Sequence, residues 1–156
     1  MDNIKSVMFV CTGNSCRSVM AEGLLRQELK KLGKDHVKVF SAGVMPAPGM
    51  PPTAETVRTM RDEGVDVTAS RAKLITPDMI NNADLILVME LVHKNEVLNR
   101  APQASTKTFL LREYGIERGV SIFALGIPDP IGRPLEDYVN TVKTIKKEIE
   151  RIARLL

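Results

Sequence analysis

Cysteine is scarce in this chain, long apolar runs are absent, and aromatic residues are few. Only Cys11 and Cys16 occur among 156 residues. That excludes a disulfide scaffold, and neither a C-x-x-C pair nor a His/Cys ligand array is present to hold a metal. No apolar stretch approaches the roughly 18 residues that span a bilayer. The opening Met1-Asp2-Asn3-Ile4-Lys5 runs straight into a strand pattern and lacks a secretory apolar core. The expectation is a cytoplasmic protein with no membrane partner. A dominant charge is also missing: 22 basic against 19 acidic residues give a net charge of +3. Without a long basic run, nucleic acid is not implied, and anionic ligands are merely permitted. Aromatics at 4% leave few flat walls for an aromatic ligand. No internal repeat or low-complexity tract is found, and one domain over residues 1–156 is expected at this length.

What is present is an alternation of apolar runs and amphipathic stretches. Ile4 to Val10 reads as a buried strand, followed by the polar loop Cys11-Thr12-Gly13-Asn14-Ser15-Cys16. From Arg17 to about Leu32 the spacing of Met20, Leu24, Leu25 and Leu29 predicts a helix stopped by Gly33. Val37 to Phe40 is a second strand, the stretch from Pro46 to Pro52 a loop, and Thr53 to Glu63 a helix. Thr76-Pro77-Asp78 starts another helix, and Asp84 to Met89 is the clearest buried strand. A helix around His93 to Asn99 and a short strand at Thr108 to Leu110 follow. Two prolines force Gly126-Ile127-Pro128-Asp129-Pro130 into a loop. A last helix from about Pro134 to Leu156 carries Tyr138, Val142, Ile145, Ile149 and Ile152 on one stripe. Strands alternating with helices predict an α/β fold with a parallel sheet covered on both faces.

The chemistry concentrates in Val10-Cys11-Thr12-Gly13-Asn14-Ser15-Cys16-Arg17-Ser18. This loop lies at the carboxyl end of the first strand and opens the first helix, where open α/β sheets bind ligands. Such a loop turns main-chain N–H groups inward, and the helix dipole adds positive potential. Thr12, Gly13, Asn14, Ser15, Cys16 and Ser18 then form a cradle for a tetrahedral dianion. Arg17 adds a planar fork that can grip the same phosphoryl group bidentately. A thiol in this field favours the thiolate at neutral pH, so Cys11 is the expected nucleophile at phosphorus. Ser18 is placed to hydrogen-bond its sulfur, and Asn14 to brace the loop in left-handed backbone. A departing group needs a proton, and Asp129 between Pro128 and Pro130 is the expected general acid.

On these residues the chain resembles the low-molecular-weight protein tyrosine phosphatase family over essentially its whole length. The matching pieces are Cys11 to Ser18, Met20-Ala21-Glu22, Ser41-Ala42-Gly43, the Asp84 to Met89 strand and Asp129-Pro130. The resemblance implies a three-layer fold with a central four-stranded parallel sheet, a phosphocysteine intermediate and no cofactor. It also implies phosphorylated protein substrates, inorganic phosphate as product and inhibitor, a monomer, and a supporting contact from Ser41 to Asn14. Departures are Val19 in place of a helix-opening proline and Ser70 in place of a histidine. Tyrosine-specific members carry an aliphatic residue before the second loop cysteine and aromatics after Asp-Pro, whereas this chain has Ser15 and Ile131-Gly132. Ser15, His93-Lys94, Leu110 to Tyr114 and Asp129 to Gly132 are similar to the bacterial protein arginine phosphatases, which have threonine at the Ser15 position. Ser15 is either a selectivity residue or a neutral substitution. For a phosphoarginine, Asp129 and Glu90 would lie near the guanidinium.

Two other readings compete. The loop is also similar to that of thioredoxin-linked arsenate reductases, but their relay needs two further cysteines after the Asp84 to Met89 strand, and Glu90-Leu91-Val92-His93-Lys94 contains none. A phosphate-binding module that had lost catalysis would most simply lack Cys11, Arg17 or Asp129. A phosphocarrier with a cysteine after its first strand is disfavoured by Arg17. Cys16 either fills space or traps oxidised Cys11 as a disulfide. His36 and His93 are expected on the surface, Tyr138 in core or rim packing, and Lys146, Lys147, Glu148, Glu150 and Arg151 on a solvated helix face.

Overall fold

The first apolar run forms an inner strand because it is apolar on both of its faces. In the computed structural model, which describes residues 3–116 and 121–156, strand β1 spans Ser6–Cys11 and Val7 to Val10 are wholly buried. Met1 and Asp2 lie outside the described residues. The other strands are β2 (Lys38–Gly43), β3 (Leu85–Val88) and β4 (Thr108–Leu110), in the order β2-β1-β3-β4. All three pairings are parallel, with Met8 opposite Phe40 and Ile86, and Ile86 opposite Thr108. The expected four-stranded parallel sheet is therefore present.

Helix α1 spans Arg17–Lys31, α2 Ala54–Asp62, α3 Pro77–Asn82, α4 Leu91–Arg100 and α5 Leu135–Ala153. The period-two alternation of β1 splits the core in two. Val7 and Phe9 join Met20, Leu25 and the α5 stripe of Tyr138, Val142, Ile145, Ile149 and Ile152 on one face. Met8 and Val10 meet Ile80 of α3 and Val97 of α4 on the other. Each large apolar side chain so buried contributes about 1.5–3 kcal/mol. Thr53 caps α2 by accepting from Thr56 N, and Thr76 caps α3 by accepting from Met79 N, each worth about 1 kcal/mol.

Two expectations need correction. Strand β2 runs on through Ser41-Ala42-Gly43, residues too small and polar to show in an apolar pattern; pairing with Phe9, Val10 and Cys11 holds them. The charged face of α5 is less solvated than expected. Arg151 donates to the carbonyls of Tyr114 and Leu111, and Lys146 pairs with Glu63 at 2.8 Å. Among the described residues, no helix is long and apolar enough to cross a membrane.

Candidate active site

The order in which strands are added to the sheet reverses about β1. Helix α1 carries the chain from β1 to β2 on one side, while β3 lies on the other. The crevice at the carboxyl ends of β1 and β3 is thus the switch point where such sheets bind ligands. Cys11 ends β1 and Glu90 follows β3 by two residues. The loop from Cys11 to Cys16 leads directly into α1, whose first N–H groups have no intrahelical partner.

The loop is braced from within by a chain of hydrogen bonds whose directions can be deduced. Asn14 takes φ +53° and is buried. Lys73 N–H donates to its Oδ1 at 3.1 Å, which fixes the orientation of the amide. Its Nδ2 therefore donates twice, to Ser18 Oγ at 2.8 Å and Ser41 Oγ at 2.9 Å. Ser41 sends its own hydrogen to Glu22 Oε1 at 2.7 Å. Ser18 is left to direct its hydrogen at Cys11 Sγ, 2.9 Å away, and Asn14 N–H approaches the same sulfur at 3.3 Å. Two donors thus converge on one sulfur, the arrangement that stabilises a sulfur anion. Gly43 closes the cradle from beneath: a Cβ there would lie 2.6 Å from Thr12 O.

Arg17 is 1% exposed, so its charge needs partners. Its Nη1 donates to Glu90 Oε1 and to the Ile127 carbonyl, the latter at 2.7 Å. Asp129 Oδ2 stands 3.5 Å from Nη2. The Asp129 segment is hung on the sheet by Ile127 N–H donating to Met89 O at 2.9 Å. Arg17 and Asp129, more than a hundred residues apart in sequence, are thus paired, and Cys11 is held by Ser18, the residue next to Arg17.

Ser15 is half-buried, whereas Cys16 is buried in the core at the start of α1. Cys16 Sγ lies 3.5 Å from Thr53 Oγ1 and donates to Tyr138 Oη at 3.9 Å. Burial, with Cys16 adding to it, pushes the Tyr138 phenol up to about 12, so it stays neutral in the core. Ile131, after Asp129-Pro130, is 55% exposed.

His36 is exposed as expected, but His93 is not: it is wholly buried. Its Nδ1 accepts from Glu90 N–H at 3.0 Å and its Nε2 lies 2.9 Å from Thr12 Oγ1. Burial first, and then the Arg17 charge, lower its pKa to about 4 against the opposing pull of Glu90 and Asp129. Besides its place in the matched pair His93-Lys94, the sequence held one local signal for this position: His93 stands three residues after Glu90 at a helix start, the spacing of reciprocal capping. Glu22 was visible only as part of a matched string, and nothing in its local sequence announces its bond to Ser41.

Comparison with known proteins agrees with this fold. Residues 6–156 match the model of the low molecular weight phosphotyrosine protein phosphatases. The protein-arginine-phosphatase of Geobacillus stearothermophilus is 35% identical over 150 residues, covering 96% of this chain and 95% of the relative. The arsenate reductase of Bacillus subtilis (strain 168) is 34% identical over 153 residues, covering 92% of this chain and all of the relative. The crystal structure of a low molecular weight protein tyrosine phosphatase from T. tengcongensis superposes with a TM-score of 0.87 at 37% identity, covering 97% of this chain and 99% of that one. Matched from its first strand to its last residue, with a cysteine, an arginine and an aspartate gathered at the switch point, this chain belongs to the low molecular weight phosphotyrosine protein phosphatase family.

Proposed function

We propose that Cys11 is the nucleophile, Arg17 the phosphoryl clamp and Asp129 the general acid of a protein phosphatase whose preferred substrate is phosphoarginine. The observation that carries the chemistry is the convergence of Ser18 Oγ and Asn14 N–H on Cys11 Sγ beside Arg17. Cys11 sulfur attacks phosphorus and forms an S–P bond, while the bond from phosphorus to the leaving nitrogen or oxygen breaks. Asp129 gives its proton to that leaving atom. It then takes a proton from a water that attacks the phosphocysteine, and phosphate departs as the sulfur regains its electron pair. Ser18 assists by donating to the departing sulfur. Because Glu90 and the Ile127 carbonyl occupy Nη1 of Arg17 and Asp129 stands beside Nη2, the Nε–H and the second Nη2 hydrogen are the donors left for phosphate.

Preference for phosphoarginine rests on the walls. Ser15 is small and polar, Ile131 is aliphatic, and the Glu90 and Asp129 carboxylates are partly exposed at 38% and 36%, suited to a guanidinium. Arsenate reduction through a cysteine relay is disfavoured because the sequence holds only Cys11 and Cys16. The test is kcat/KM on matched phosphoarginine and phosphotyrosine peptides, with Cys11→Ser as control. A preference for phosphoarginine that weakens in Ser15→Ile supports the reading. A preference for phosphotyrosine would reassign the substrate, and wild type no better than Cys11→Ser would remove the phosphatase reading altogether.

A further inference from the structure

His93 is a buried titratable group that the chemistry above leaves without a task. It sits between two parts of the site that the chain reaches separately. On one side is Thr12, second residue of the cradle loop; on the other is the main chain of Glu90, whose carboxylate takes Arg17. The roles of its two nitrogens follow from the partners. An amide N–H can only donate, so Nδ1 must be the unprotonated nitrogen. In the neutral ring the hydrogen is then on Nε2, which donates to Thr12 Oγ1. Thr12 accepts with one lone pair and keeps its own hydroxyl hydrogen for the crevice, where the hydroxyl is only partly buried.

We propose that His93 is a positioning residue that joins the cradle loop to the Arg17 clamp, holding Thr12 through Nε2–H and the Glu90 turn through Nδ1. The ring is rigid and wholly enclosed, so a displacement at either end is transmitted to the other. Fixing the two ends together sets the spacing between the cradle's first residues and the arginine that must grip the same phosphoryl group. A misplacement of about 1 Å at such a point is enough to reduce turnover about a hundredfold. This inference rests on the phosphatase reading of Cys11 and Arg17.

The geometry supplies variants that separate the two ends. In His93→Asn the side-chain oxygen takes the place of Nδ1 and keeps the Glu90 N–H, but nothing reaches Thr12. In His93→Gln the terminal amide reaches Thr12 and the cap on Glu90 N–H is lost. Thr12→Val removes the hydroxyl from the opposite partner while keeping its shape. With p-nitrophenyl phosphate as probe, kcat is expected to fall about tenfold in His93→Asn and in Thr12→Val, with melting temperature used to confirm folding. The double variant is expected to lose no more than Thr12→Val alone, which also removes the hydroxyl hydrogen facing the crevice, because the His93 link is already cut there. Losses that multiply in the double variant, or a His93→Asn enzyme that melts lower yet turns over like wild type, would overturn the proposal.

Should His93→Asn fail to fold, ¹⁵N-histidine spectra of the wild-type protein keep the question open to decision. The expected spectrum is a neutral ring protonated at Nε2 at pH 7, with the Nε2 signal moved in Thr12→Val. A charged ring, the Nδ1–H tautomer or an unmoved signal would overturn it. Failure of wild type to exceed Cys11→Ser would instead sink the phosphatase reading, and this inference with it.

Discussion

Asn14, in the first loop of the site, is 2% exposed and tied through its side chain to Lys73, Ser18 and Ser41. Asp129, in the second, has a side chain 36% exposed, with an ion pair to Arg17 and an internal bond from Ile131 N–H as its contacts. The first loop is held by buried polar groups that must all be satisfied, since each one left unpaired costs about 1–3 kcal/mol. The second is held by the stiffness of Pro128 and Pro130, by one bond to the sheet at Ile127, and by Arg17 at the Ile127 carbonyl and Asp129. On the proposed reading, a cradle for one unchanging dianion gains from rigidity. A wall that must meet different leaving groups gains from having few constraints.

Substitutions can break or sharpen this contrast. Cys11→Ser should have the largest effect, a loss of turnover of about 10⁴-fold or more with little loss of stability. A stopped-flow or end-point phosphate assay decides it, and retention of even a tenth of wild-type activity would contradict the assigned nucleophile. Asp129→Asn should lower kcat about 10²- to 10³-fold. Inhibition by inorganic phosphate should change far less than kcat, because the Cys11 to Ser18 loop stays held by Lys73 and Ser41 when the Asp129–Arg17 pair is lost. A parallel loss of phosphate binding would show that the two loops are not separable.

The third expectation concerns pH. In the unfolded chain a histidine titrates near 6.5, whereas His93 in the fold is lowered to about 4. The unfolded state then binds the extra proton first as acid is added. Stability is full above about pH 6.5 and falls as the pH drops toward about 4, by up to about 3 kcal/mol. Urea unfolding from pH 7 to pH 4.5 should show that slope in wild type and a shallower one in His93→Gln. Equal slopes would mean that other groups dominate.

Gly43→Ala should be somewhat milder, at about 1–3 kcal/mol, since its methyl carbon would collide with the Thr12 carbonyl. That corresponds to a melting temperature lower by about 3–10 °C. An unchanged melting temperature would show that the cradle yields more readily than its packing suggests. The smallest effect is expected from Ile131→Ala, where stability should stay within about 0.5 kcal/mol because the side chain faces solvent. A larger loss would indicate that the second loop is braced through that side chain after all.

The same contrast explains what could be read before folding. Cys11 to Ser18 declared itself because strand, polar loop and helix start are consecutive, and the local pattern carries the geometry. The Pro128-Asp129-Pro130 segment was legible as a loop through its two prolines. By contrast, His93 acts on Thr12 from 81 residues away and Asn14 is anchored by Lys73 from 59 residues away. Neither link leaves a mark in its own neighbourhood, so His93 looked like an ordinary surface histidine. The close of β2 was missed for a related reason: Ser41 and Gly43 are there for the cradle, so the strand loses its apolar signature where it becomes useful.

The tether on Asn14 also bears on how the protein ages. Spontaneous loss of an asparagine amide begins when the next residue's backbone nitrogen, here that of Ser15, closes on the side-chain carbonyl carbon to form a five-membered succinimide. That ring needs the side chain to swing back along its own chain. The Asn14 amide is held against that swing, its oxygen receiving Lys73 N–H and both of its hydrogens given to serines. An Asn-Ser pair that would be a weak point in a free peptide is thus chemically protected for as long as the loop stays folded.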